Sequence, residues 1–455
     1  MENLKISEIA KAIDGELVNC KEDININDIA IKSWKVKSND LYIALVDKGS
    51  DPSEPVKVAL ENGAIAVIVP KKTDFSIPQI VVGDTWSALY SLAKYYKNIF
   101  NLPTIMVTGS SGKTSTKDMV TSVLREKYKV HKTQQNNNSN LGVPYTIFHM
   151  KGIHEISVLE VGMDNFGQIK SMADLVRPKI AIMTNIGTAH IQNLKTKENI
   201  LKAKMEITEY FNENNILIIN NDDEYLSRIK DKPYKIIRIS TYGKGDYNAF
   251  DIVNLGEAGV QFKCKYRDEI LLLRTNAVGI HNVYNALAAI AVADLFDLDG
   301  GEIQRGILKY KSSQMRMNII RLEDHITLLE DCYNANPDSM KYAIDVLYSF
   351  NDGRKIAVLG DMLELGEYSK ISHENIGNYL IDKCDVLVAV GNEAKYIYDK
   401  ANSRITSKHF TSKEDACRYL EKTIKSNDVI LIKASRGMEM EEIVEYLTAN
   451  KKTIV

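Results

Sequence analysis

After residue 100 the chain alternates short, continuous apolar runs with longer amphipathic stretches. The runs are TIMVTG (104–109), ISVLEVG (156–162), KIAIMTNIG (179–187) and NILIINNDD (215–223); KTSTKDMVTSVLREKY (113–128) shows the helical period between the first two. Runs that stay apolar at successive positions predict strands covered on both faces, and their alternation with helices predicts a doubly wound, mostly parallel sheet. A second series follows, with strands predicted at ITLLEDCY (326–333), KIAVLGDM (355–362), DVLVAVG (385–391) and DVILIKAS (428–435). Between the two lie a β-rich patch (234–275), a helix opening at GIHNVYNALAAIAVADLF (279–296) and a linker around SSQMRMNII (312–320).

The first hundred residues carry weaker signals. Strands are predicted at DLYIAL (40–45), AIAVIV (64–69) and QIVVG (79–83), with KVALENG (57–63) as helix; MENLKISEIAKAIDGELV (1–18) reads as one amphipathic helix. A long helix, TWSALYSLAKYYKNIF (85–100), ends before Pro103, which cannot continue it and marks a domain boundary. The expectation is an α/β protein of three domains in series: a small N-terminal α/β domain (1–100), a central doubly wound domain with a phosphate-binding loop (101–312), and a C-terminal Rossmann-like α/β domain (313–455). A chain of 455 residues is too long for one core, which agrees with that division.

Composition narrows the partners. A formal charge of −2 gives no electrostatic case for nucleic acid or a membrane surface, so small-molecule substrates are expected. No apolar run approaches the roughly 18 residues of a membrane span, which predicts no membrane insertion and a cytoplasmic protein. Five scattered cysteines without a C-x-x-C pair suit reduced thiols.

Candidate chemistry begins at TIMVTGSSGKTST (104–116), a strand, a glycine-containing turn and a helix start. Gly109 and Gly112 would let backbone N–H groups of Ser110, Ser111 and their neighbours approach phosphates. Lys113 would offset β/γ-phosphate charge, and the Thr114 hydroxyl, with Ser115 beside it, would ligate Mg²⁺. The loop is a shortened variant, with Val107 where the general pattern has glycine. Glu160 at the end of its strand, His190 after TNIGTA and Lys204 in the following helix sit where catalytic groups of such sheets gather. Singly these three read as a cap, a loop histidine and a solvated lysine. Beside a phosphate loop, a carboxylate and an imidazole make sense as Mg²⁺ ligands.

TGSSGKTS (108–115), EVGMDNFGQI (160–169), TNIGTAHI (184–191) and GIHNVYNALAA (279–289) together resemble the ordered motifs of the Mur ligase family, the amide-forming ligases of cell-wall precursor synthesis. NNNSNLGVP (136–144), DCYNANPDSM (331–340), VLGDMLELG (358–366) and KASRGMEMEEIV (433–444) resemble the branch that adds a dipeptide rather than a single amino acid. The resemblance implies an ADP-forming ligase: ATP phosphorylates the carboxylate of a UDP-linked peptide, and the amine of a dipeptide attacks the acyl phosphate. It implies metal ligation by Glu160 and His190, and a CO₂-derived carbamate on Lys204 as an anionic ligand. Asn282 and Asn285 would contact adenine. Arg316, Asp331, Tyr333 and Asn334 would reach ATP from the linker and third domain, whose closure would exclude water. Ser33, Asn138 and Arg436 are the candidate substrate contacts, and the protein is expected to be a monomer. The first domain, which would bind the UDP end, departs from the pattern: Lys32-Ser33-Trp34 and GSDPSEPVK (49–57) stand where the family has D-S-R and D-G-H elements. A paralogue with the same chemistry on another acceptor or amine, for instance of pseudomurein type, is the alternative, and a non-catalytic nucleotide-binding protein the third.

Overall fold

The computed structural model describes residues 2, 4–47, 49–351 and 353–451. The chain forms two compact units, one of residues 1–106, 128–162 and 168–179, the other of 107–127, 163–167 and 180–455. The first of the chain's five crossings from one to the other falls within the strand Thr104–Thr108, whose residues are all buried.

In the first unit five strands form a sheet in the order Glu16–Val18, Gln79–Val81, Ala66–Val69, Leu41–Ile43, Ile29–Ala30. The first pair is antiparallel and the rest are parallel. The helix Thr85–Phe100 has the predicted bounds, and its physics is local. Asp84 caps it by accepting from the Ser87 N–H at 2.7 Å. Ala88, Leu89, Leu92, Ala93 and Tyr96 recur on one buried stripe, and Asn101 ends the helix in the left-handed region at φ 45°. The N-terminal stretch differs from expectation. Only Ile6–Ala12 is helical, flanked by the strands Leu4–Lys5 and Glu16–Val18. The run ends in a turn at Asp14, φ 51°, where the Gly15 N–H donates to the Ala10 carbonyl at 2.9 Å, and Gly15 leaves room for Ile80, the residue paired with Leu17 across the sheet. The same unit holds the strand Ile156–Glu160, parallel to Val130–Lys132.

The second unit contains two α/β sheets. One runs Glu269–Thr275, Val260–Tyr266, Tyr247–Asn254, Lys235–Ser240, Ile216–Asn220, Ile180–Met183. Its first three strands are antiparallel and the others parallel, and the Thr184 N–H reaches the Thr108 carbonyl at 3.0 Å. The helix Lys113–Leu124 packs on the almost wholly apolar helix Asn282–Leu295 and on Gly300–Lys309. A β-carbon on Gly306 would stand 2.5 Å from the Val123 α-carbon, so glycine permits that approach. The second sheet runs Asn318–Arg321, Thr327–Glu330, Val429–Lys433, Lys355–Gly360, Val386–Val390, Thr406–Phe410, antiparallel only in the first pair. Two of its strands exceed the sequence expectation. Asn318–Arg321 lies partly in the stretch read as linker, and Thr406–Phe410 is a half-polar edge strand without an apolar run. All five cysteines are free thiols. Among the described residues no helix is long and apolar enough to cross a membrane.

The second sheet depends on one buried charge. Asp428, 2% exposed, receives both Arg354 Nε at 3.1 Å and Nη2 at 2.8 Å, and the Lys425 N–H at 2.7 Å. Removing the cation leaves a buried carboxylate without its counter-charge, a loss of about 3 kcal/mol or more. Arg354→Met is therefore expected to lower the urea midpoint with little change in slope, and Asp428→Asn in the same background to recover part of the loss.

Candidate active site

The turn after Thr104–Thr108 is built around Gly109, at φ 153°. A β-carbon there would lie 1.8 Å from Thr184 Oγ1, so only glycine lets the turn pass the end of the neighbouring strand. Gly112, at φ 78°, is the residue from which the helix Lys113–Leu124 starts. Asn185 holds the loop open from below: its Oδ1 accepts from the Ser110 N–H at 3.1 Å and the Ser111 N–H at 2.8 Å. The Thr184 hydroxyl donates to the Ser111 carbonyl at 2.5 Å. A loop so braced presents backbone N–H groups at a helix N-terminus, where the dipole favours an anion.

Two lysines converge on one oxygen. Lys113 Nζ and Lys204 Nζ each donate to the Gly109 carbonyl at 2.9 Å. Lys204 is 1% exposed, and burial first, then the charge of Lys113, holds its amine well below the ordinary lysine range. The solvated helix-face reading of Lys204 is thereby overturned: it is a core lysine whose charged form burial disfavours.

His190 begins the short helix Ile191–Leu194 in the left-handed region, at φ 62°. Its Nδ1 stands 2.9 Å from Glu364 Oε2, in the ELG stretch of the third sheet's layer. In the first unit, Glu160 is 1% exposed; its Oε1 accepts from Asn138 Nδ2 at 2.7 Å and its N–H donates to Thr133 Oγ1 at 3.0 Å. Asn138 thus orients Glu160.

Asn282 and Asn285 are buried in a chain of hydrogen bonds. Asn285 Oδ1 accepts from Thr116 Oγ1 at 2.7 Å, and its Nδ2 donates to Asn282 Oδ1 at 2.9 Å. They tie the helix Asn282–Leu295 to the phosphate-loop helix. Beside them a cleft of about 1330 Å³ is lined by Gly279, Ile280, His281, Tyr284, Tyr342 and Val346, among others. The His281 ring stacks on Tyr342 at 5.4 Å.

The linker and third-sheet residues meet the loop. Arg316 Nη2 lies 3.4 Å from Thr114 Oγ1, and the guanidinium sits 3.9 Å over the Tyr333 ring. Ser115 hydrogen-bonds the Tyr310 phenol. Asp331 is paired with the buried Lys433 at 2.7 Å, and the same ammonium reaches the Asn334 carbonyl at 2.8 Å. The Asn334 side chain accepts from the Ala335 N–H, a turn contact. Arg436 is half-exposed and paired with Glu441. Ser33 is buried, hydrogen-bonded to the Tyr42 phenol.

Sequence reasoning missed four groups here: Asn185, Asn336, Asp338 and Glu364. Asn336 Nδ2 donates to Ser111 Oγ at 3.0 Å while its Oδ1 caps the helix Pro337–Tyr348 by accepting from the Ser339 N–H at 2.8 Å. Asn336, Asp338 and Glu364 lie within the quoted motifs DCYNANPDSM and VLGDMLELG, which were the available signal.

The comparisons agree with this arrangement. The Mur ligase middle domain matches residues 107–293, and the Mur ligase, glutamate ligase domain matches 315–436. The UDP-N-acetylmuramoyl-tripeptide–D-alanyl-D-alanine ligase of Bacillus subtilis is 35% identical over 457 residues, covering 97% of this chain and 98% of that protein. A crystal structure of MurF from Acinetobacter baumannii superposes with a TM-score of 0.92 at 30% identity, covering 99% of both chains. MurF ligase from Thermotoga maritima in complex with ADP gives 0.82 at 28%, covering 93% of this chain and 97% of that one. A braced phosphate loop, a buried lysine behind it and a full-length match to these relatives have one common explanation: the chain belongs to the Mur ligase family.

Proposed function

We propose that the protein is the ATP-dependent, ADP-forming ligase that joins D-alanyl-D-alanine to a UDP-N-acetylmuramoyl-tripeptide, releasing phosphate and the UDP-linked pentapeptide. The observation that carries the reading is the phosphate loop with Lys113 and Lys204 on the Gly109 carbonyl, in a chain that matches such ligases over its whole length. A carboxylate carbon has no adequate leaving group. Transfer of the γ-phosphoryl group to the acceptor's terminal carboxylate makes a mixed anhydride, with ADP leaving. The dipeptide amine then attacks the acyl carbon, and the tetrahedral intermediate expels phosphate as its C–O bond breaks.

In this reading Lys113 moves from the Gly109 carbonyl onto the phosphates, and the N–H groups of Gly109 to Thr114 cradle them. Asn282 and Asn285 border the adenine, Arg316 and Tyr333 flank the nucleotide, and Asp331 and Asn334, fixed by Lys433, complete its enclosure. Excluding water matters because an acyl phosphate hydrolyses. Arg436 and Ser33 are the proposed contacts to the dipeptide and the UDP end, Ser33 after a change at Tyr42. Asn138 acts through Glu160 and borders the acceptor. The domains are taken as 1–100 for the acceptor, 101–312 for ATP and 313–455 for the amine, in a cytoplasmic monomer.

Among the described residues no three His, Cys, Asp or Glu side chains form a metal-binding group. Mg²⁺ takes oxygen ligands, with substrate phosphates and water completing its shell. The donor chemistry fits: the Thr114 hydroxyl at the loop, with Glu160, His190 and an oxygen of carbamylated Lys204 as further ligands. The metal would supply charge neutralisation on the transferring oxygens. Lys204 suits carbamylation because its amine is buried and rests on a neutral carbonyl, and CO₂ adds only to the unprotonated form.

The deciding measurement is phosphate release and product mass with Mg-ATP and UDP-N-acetylmuramoyl-tripeptide, with and without D-alanyl-D-alanine. Dipeptide-dependent phosphate and a UDP-linked pentapeptide are expected; ATP use without that product would favour a paralogue acting on another acceptor. Lys113→Ala is expected to cut kcat by about a thousandfold or more, as loss of a fixed phosphate-binding charge does. Lys204→Ala is expected to lose most activity and to regain part of it with added formate or acetate, and full activity without additive would sink the carbamate.

A further inference from the structure

The turn 186–188, just before His190, is held from three sides. The Ile186 N–H donates to Asp223 Oδ2 at 2.8 Å, and the Gly187 N–H donates to Ser110 Oγ of the phosphate loop at 2.8 Å. The Thr188 N–H donates to the carboxylate of Asp338, in the first turn of the helix Pro337–Tyr348. The helix beginning with Asn336 and Asp338 therefore touches both loops at once: Asn336 the phosphate loop at Ser111, Asp338 the turn that leads to His190.

The fit at Asp338 is close. A β-carbon on Gly187 would lie 2.0 Å from Asp338 Oδ2 and 3.2 Å from the Ser110 β-carbon. Oδ2 is itself buried and makes no hydrogen bond within the protein. An unbonded, buried carboxylate oxygen is costly to keep, and an apolar cap of the same size would be cheaper were packing its only task. Lys197 and Lys341 offset its charge without hydrogen-bonding it. Asp338 Oδ2 is wedged against Gly187, so this oxygen faces the turn rather than solvent.

We propose that Asp338 is a positioning residue: it locks the turn 186–188 onto the third-sheet layer and so sets His190 and the phosphate loop in mutual register for phosphoryl transfer. Gly187 is glycine because this carboxylate occupies the place of a side chain. The inference rests on the ligase reading only in so far as its effect is read in turnover. An Asp338→Ala variant loses the acceptor for the Thr188 N–H, whereas Asp338→Asn keeps it. Misplacement of a reacting group by an ångström costs about a hundredfold in rate while leaving ground-state binding nearly intact.

The test is steady-state kinetics and hydrogen exchange on the full chain. Asp338→Ala is expected to lower kcat by about ten- to a hundredfold with KM for ATP and for the UDP-linked tripeptide changed less than about threefold. Asp338→Asn should regain most of the lost kcat, and Gly187→Ala should be rescued in part by a second change, Asp338→Ser, which vacates the clash. Hydrogen exchange without substrates should show faster exchange at the Thr188 amide in Asp338→Ala than in the parent or Asp338→Asn. That readout tests the lock even if the parent fails the dipeptide assay, an outcome that would sink the ligase reading alone. The lock is overturned if Asp338→Ala keeps its kcat and its Thr188 protection. A parallel rise in both KM values at unchanged kcat would instead make Asp338 a binding group and overturn positioning, as would failure of the asparagine to restore turnover.

Discussion

The passage of the Gly109 turn beneath Thr184 is the constraint on which the rest of the site depends. Because no side chain stands between them, the strand Thr104–Thr108 can hand the chain to the helix Lys113–Leu124 within four residues, with the Ser110 and Ser111 amides held by Asn185. The same closeness turns the Gly109 carbonyl inward, where two lysine amino groups meet it. One of them is on the loop itself and can swing to a ligand. The other, on the helix Lys197–Met205, is buried and cannot follow. The loop thus separates a mobile charge from a fixed amine by a single backbone oxygen.

Around that turn the second unit arranges three loops from distant parts of the sequence: the phosphate loop, the turn before His190, and the turn that opens the helix Pro337–Tyr348. Each contact among them is short and polar, involving a hydroxyl, an amide or a backbone N–H rather than apolar surface. Polar contacts of this kind gain little net energy over water but are specific in geometry. They fix which groups meet there without the adhesion that an apolar interface would give. Arg316, between Met315 and Met317, both at positive φ, marks where the chain bends into that junction.

What was legible in the sequence follows the distance over which each signal acts. Gly109, Gly112, Lys113 and Thr114 lie within six residues between an apolar strand and a helix, so the local context predicted a phosphate loop although Val107 departs from the general spacing. The helix Thr85–Phe100 was legible for the same reason, its cap, stripe and stop all being local. The N-terminal helix was read too long because the left-handed turn at Asp14 ends it and the chain then joins the sheet at Glu16–Val18, a pairing with Gln79–Val81 that periodicity cannot see. The strand Thr406–Phe410 was invisible because an edge strand in a parallel sheet can be half polar. Lys204 could be named as a ligand only through resemblance; its burial is a product of the fold. Asn336 and Asp338 act on residues far back in the chain, so the motif that contains them marked the place without showing what they touch.

Asn336 carries one more consequence. As a helix cap it could be exchanged for aspartate or serine, which are equally good acceptors for the Ser339 N–H. Neither would leave a side-chain N–H to give to Ser111 from the same position. Ser111 Oγ also lies 3.2 Å from Asn336 Oδ1, so an aspartate would keep an acceptor for that hydroxyl, and what asparagine alone adds is a donor at the same place. The helix start is therefore written twice over in a single amide, and a library selected only for heat resistance would have no means of preserving the second meaning.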